Sequence, residues 1–113
     1  MAFKNHDSDK FIMVLMTSPQ EKEAREIAQA LLHRRQAACV GIFPAGESFF
    51  WWEGKIDRAR EFLLIAKSRK DMLGELIETV KAIHAYDVPE IVALPIVGGN
   101  PEYLNWLGKE LKP

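Results

Sequence analysis

The sequence has a single cysteine, Cys39, so no disulfide can form within the chain and the fold does not depend on an oxidising compartment. No apolar run approaches membrane-spanning length, and the first residues, Met1 to Lys10, lack the apolar stretch of a secretory leader. Charge of one sign is missing too: 15 basic residues face 16 acidic ones, the formal net charge is -1, and neither sign forms a block. That balance lacks the electrostatic footprint of a nucleic-acid binder. Nucleic acid and membrane are therefore not expected as partners, and a cytoplasmic location is expected. Gly98-Gly99-Asn100 is too short for a phosphate-binding fingerprint, so no organic cofactor is expected. Neither a Ser-His-Asp order nor a nucleophile elbow is present, and Cys39 sits in an apolar strand pattern rather than an exposed, polar one. The chain does not read as an enzyme.

What is present is an aromatic concentration. Glu47 to Lys55 reads Glu-Ser-Phe-Phe-Trp-Trp-Glu-Gly-Lys, with four consecutive rings before a Glu-Gly turn. Aromatic residues suit a pleated strand, and Glu53-Gly54 suits the connection of a hairpin. Alternation sends Phe49 and Trp51 one way and Phe50 and Trp52 the other. One pair can join the domain's own core. The other is then left exposed or makes an oligomer contact, and a large apolar patch favours the contact.

The 113 residues fit one domain, expected over 10–113 after a flexible head at 1–9 in which His6 is a solvated residue. Phe11 to Met16 is a continuous apolar run, the pattern of a strand buried on both faces. Ser18-Pro19-Gln20-Glu21 has the form of a capping box, and Ala24, Ile27, Ala28, Leu31 and Leu32 then form one helical stripe. Ala37 to Phe43 is a second strand, broken by Pro44-Ala45-Gly46, which predicts a bulge or bend. After the hairpin, Ile56 to Glu61 is wet and Phe62 to Ala66 apolar, as in a strand that projects beyond its sheet. Ser68 to Asp71 offers a second capping box before Leu73, Leu76, Ile77 and Val80, and His84 falls on the same stripe. Glu90 to Val97 is a last strand with Pro95 at an edge or bulge, and Asn100-Pro101-Glu102 caps a short final helix. The order β-α-β-β-α-β plus a C-terminal helix predicts an α+β, ferredoxin-like fold: an antiparallel sheet with an extended hairpin between its second and third strands. Both long helices cover one sheet face, and the other face needs cover that the last helix is too short to give.

These residues resemble the CutA family of divalent-cation tolerance proteins from about Phe11 to Leu107. The resemblance rests on Thr17-Ser18-Pro19, Ala37-Ala38-Cys39-Val40, Trp52-Glu53-Gly54-Lys55-Ile56, Leu64-Ile65-Ala66-Lys67, His84 to Ile91, Ala93 to Ile96 and Gly99-Asn100-Pro101. It implies a homotrimer similar in architecture to the PII signalling proteins, with long hairpins clasping neighbours through Phe49, Phe50, Trp51 and Trp52. It also implies a link to copper or another divalent metal. Of the family's proposed copper ligands only His84 carries over, with Met16 at the first-strand position where relatives have cysteine. Met16, Cys39 and His84 are a soft donor set of the kind that favours copper(I). Each has a structural alternative: Met16 as core, Cys39 as a small buried hydrophobe, His84 as a satisfied buried histidine. The other functional class is a trimeric signalling or interaction scaffold. There the resemblance brings Trp52, Lys67, Tyr86 and Glu90 near a cleft between subunits.

Overall fold

A computed structural model describes residues 10–113; the head expected at 1–9, with His6, lies outside the described residues. Strand β1 spans Phe11–Ser18, helix α1 Glu21–His33, β2 Cys39–Trp52 and β3 Lys55–Arg69. A 3-10 turn at Lys70–Met72 leads into α2, Leu73–Ile83, followed by β4, Ile91–Pro95, and α3, Pro101–Glu110. The sheet order is β2-β3-β1-β4 with every neighbour antiparallel, which is the ferredoxin-like arrangement with one helix appended.

Register assigns the faces. Residues directly opposite one another share a side of the sheet, so Ile42, Leu64, Met16 and Ile91 form one row and Val40, Ala66, Val14 and Ala93 another. These rows pack against Ala24, Ile27 and Leu31 of α1 and Leu76 and Val80 of α2, where Val14, Met16, Leu64, Leu76 and Val80 are fully buried. The opposite face carries the rows Gly41-Ile65-Leu15-Val92 and Cys39-Lys67-Met13-Leu94. Helix α3 covers one end of it through Leu107, Leu104 and Phe11. Phe43, Val92 and Leu94 on that face remain 44 to 49% exposed.

The long strand β2 is continuous through Pro44, and its register against β3 shifts between Phe43 and Gly46. The extra residue is the expected bulge. Beyond it the ribbon turns at Glu53 (φ 50°) and Gly54 (φ 78°), two left-handed residues in succession, as a hairpin turn matched to strand twist requires. Neither aromatic pair enters the core. Phe49 and Trp51 are 65% and 73% exposed, and Trp52 is 60% exposed. The ribbon extends past α1 and α2, so no helix lies over it.

Both serine capping boxes are corrected. Ser18 is the last residue of β1, paired with Phe62, and α1 begins only at Glu21 behind Gln20, which makes no side-chain cap. Ser68 lies within β3, opposite Ile12, and donates to the Gln36 carbonyl at 2.5 Å. Both serines are taken up in strand pairing, so neither stands at a helix terminus. Asn100 does cap α3, accepting from the Glu102 N–H at 3.1 Å.

Candidate functional site

Two of the sequence's candidate residues, His84 and Tyr86, and several it did not single out meet where β1 ends, α1 begins and α2 ends. Helix α2 stops at Ile83, one residue short of the expected stripe position, because His84 is extended (φ -65°, ψ 140°). The extended backbone turns the imidazole inward, and its side chain is fully buried. Nε2 lies 2.7 Å from the Thr17 carbonyl oxygen, and Nδ1 lies 3.0 Å from the Tyr86 N–H. The Glu23 carboxylate closes the cluster. One oxygen is 2.7 Å from Ser18 Oγ and 3.4 Å from His84 Nε2, and the other accepts from the Ala85 N–H at 2.8 Å. The ring of Tyr86 sits 4.9 Å from that of His84. Burial, and after it the neighbouring Glu61 carboxylate, push the Tyr86 phenol above its ordinary pKa.

A second polar group lies on the partly covered sheet face. Lys67 Nζ donates to Tyr103 Oη at 3.2 Å and stands 5.2 Å from the ring centroid, and Cys39 Sγ is 3.6 Å from the same hydroxyl. The Tyr103 hydrogen bond, opposed by burial, raises the lysine pKa. The ammonium is therefore charged across the physiological range.

Within one chain the proposed ligands do not converge. Met16 is wholly buried among helix-facing core residues, whereas Cys39 shares its row with Met13 on the opposite sheet face. His84 has both nitrogens within hydrogen-bond distance of backbone groups. Among the described residues no three His, Cys, Asp or Glu side chains gather at metal-binding distances. A copper site built from Met16, Cys39 and His84 of a single chain therefore does not fit this geometry.

The cleft residues are likewise dispersed. Tyr86 reaches Glu61, while Lys67 lies six residues further along β3, about 20 Å at ~3.3 Å per residue. Trp52 is at the hairpin tip, and Glu90 is exposed just before β4. Within one chain the four do not meet.

Sequence reasoning assigned none of Glu23, Ser18, Glu61 and Tyr103 to a functional site. One signal was available for Glu23: it stands four residues before Ile27 and eight before Leu31, so an acidic side chain occupies the apolar stripe of α1. Its partners, from two other elements, have no such local mark.

Comparison with known proteins agrees with the fold and the motifs. The family model described as CutA1 divalent ion tolerance protein matches residues 12–110. A chloroplastic CutA 1 protein of rice is 49% identical over 96 residues, 85% of this chain and 54% of the rice protein, so the chain spans about half of that relative's length. The divalent-cation tolerance protein CutA of Archaeoglobus fulgidus is 46% identical over 99 residues, 88% of this chain and 96% of that protein. The solved Cut A1 structure of Thermus thermophilus superposes with a TM-score of 0.89 at 47% identity, covering 90% of this chain and 99% of that one. The chain belongs to the CutA1 divalent ion tolerance protein family.

Proposed function

We propose that this chain serves divalent-metal tolerance as a cytoplasmic homotrimer whose working part is a cleft between subunits. The observation that carries the reading is the sheet face left half covered by α3. Its rows of Leu15, Ile65, Met13, Val92 and Leu94 are continuous with a hairpin that holds four rings in water. Apolar surface of this extent is a contact surface, and each Å² removed from water is worth about 25 cal/mol. In the assembled protein the hairpin residues Phe49, Phe50, Trp51 and Trp52 make the subunit contact, and Trp52, Lys67, Tyr86 and Glu90 from neighbouring chains line the cleft. The reading includes no chemical step, because the imidazole that a cysteine nucleophile needs is engaged with Thr17 and Tyr86.

The test is the mass of the native protein by light scattering, compared with Leu94→Lys and Trp52→Ala. Three chains per particle, falling to fewer in either variant, is expected. A monomer at all concentrations overturns the reading.

Direct binding of copper or another divalent metal is the second reading. Cys39 favours it: it is the partly exposed member of the soft set, and its sulfur lies beside the Tyr103 hydroxyl. In this reading the remaining donors come from other chains. Titration of the reduced trimer with copper(I), copper(II) and zinc should then saturate at a fixed ratio per trimer and fail in Cys39→Ser. Binding that is unchanged in Cys39→Ser removes that ligand.

A further inference from the structure

We propose that His84 is a positioning residue and not a metal ligand: as the neutral, Nε2-protonated imidazole it clamps residues 85 and 86 to the end of β1 and the first turn of α1. A neutral imidazole offers one N–H donor and one acceptor lone pair. The Thr17 carbonyl at 2.7 Å can only accept, which places the proton on Nε2. The Tyr86 N–H at 3.0 Å can only donate, which uses the lone pair of Nδ1. No lone pair remains for a cation. Metal at Nδ1 would orphan the Tyr86 amide, and metal at Nε2 would orphan the Thr17 carbonyl and require the other tautomer. A histidine ligand also needs an approach for the ion, and this side chain has none of its surface in solvent.

Glu23 is the anchor of the clamp. Its two oxygens take the Ser18 hydroxyl and the Ala85 N–H, so one carboxylate holds the last residue of β1 and the first residue after His84. Four segments are joined in this way: the end of β1, the first turn of α1, the end of α2 and the loop to β4. Among the described residues every buried side-chain nitrogen and oxygen has a partner. A satisfied network of this kind specifies one geometry, because any rearrangement strands a buried polar group. The backbone so fixed carries Tyr86. The functional consequence therefore rests on the cleft reading above: the clamp aims one cleft residue, Tyr86, from a rigid base.

The experiment is nitrogen NMR of the full native chain, reading the His84 ring by its long-range proton couplings with and without excess zinc and copper(I). The expected result is a single Nε2-protonated pattern that neither metal shifts. In parallel, zinc affinity is compared between the native protein and His84→Gln, and amide exchange at Ala85 and Tyr86 between His84→Ala and His84→Asn. His84→Gln should change affinity by less than about tenfold, the factor that corresponds to 1.4 kcal/mol. His84→Ala should lose protection at Tyr86, and His84→Asn, whose side-chain oxygen can take the place of Nδ1, should restore it. A metal-induced shift of either ring nitrogen overturns the proposal, as does an affinity loss beyond tenfold or a Tyr86 amide indifferent to His84→Ala. The native-protein spectrum decides even where a variant fails to fold. It reads contacts within one chain, so a monomeric protein would remove the cleft reading and leave the clamp result standing.

Discussion

The Thr79 hydroxyl lies 2.7 Å from Gln36 Oε1, and the Gln36 carbonyl receives Ser68. All three residues are buried, so α2, the α1-β2 turn and β3 share one polar tie. Thr79→Val keeps the shape and leaves the Gln36 oxygen without a donor. It should cost about 1–3 kcal/mol, measured by urea unfolding. A cost close to zero would mean that water reaches Gln36. Tyr86 and Lys67 set a pH dependence of known sign. Both pKa values are raised on folding, Tyr86 by burial and then by Glu61, Lys67 by its bond to Tyr103. Each group's contribution is complete below its unfolded pKa and is lost as pH rises through the folded one. Stability should therefore fall on the alkaline side, from about pH 10 upward, and Tyr86→Phe should flatten that fall. An unchanged alkaline slope in Tyr86→Phe would remove Tyr86 from the account. At this scale the sequence was most opaque: His84 was visible as a buried candidate, but its partners Thr17 and Glu23 lie 67 and 61 positions away. No local spacing connects them.

Among elements, α1 and the hairpin end on left-handed residues. Helix α1 closes with the Arg35 N–H on the Leu32 carbonyl and the Gln36 N–H on that of Leu31, the two bonds of a Schellman motif. Arg35 sits there at φ 53° where glycine is usual, and its guanidinium reaches Glu110 at the end of α3. That ion pair is exposed on both sides and contributes little. Arg35→Val should therefore be less stable than Arg35→Gly, since a β-branched residue tolerates positive φ least. Thermal unfolding of the two gives the order, and the reverse order would refute the strain argument. Gly54→Val at the hairpin tip should cost about 1–2 kcal/mol for the same reason. A melting temperature equal to that of the native protein would show that the tip conformation is not required. The four strands and three helices were legible because apolar runs and stripes follow periods of two and 3.6. The two serine caps were misread because β1 and β3 run longer than their apolar cores, and the ladder claimed Ser18 and Ser68.

Assembly belongs to the scale of the whole molecule, which extends 49 Å along its longest axis because the hairpin leaves the body of the domain. In the lone chain Trp51 and Trp52 are mostly in water. If the hairpin clasps a neighbour, tryptophan emission of the native protein should be blue-shifted and should move to the red on dilution or in Trp52→Ala. Emission that is already red and independent of concentration would count against burial of the rings. The sequence by itself determined the elements, their order and the presence of an aromatic ribbon, because backbone period, turn chemistry and burial pattern are encoded over a few residues. Only the tertiary structure decided that Met16 and Cys39 face opposite sides of the sheet, and that the nitrogens of His84 are taken by Thr17 and Tyr86. Which donors meet is set by strand register and by where a helix stops, and both are outcomes of packing between segments far apart in the chain.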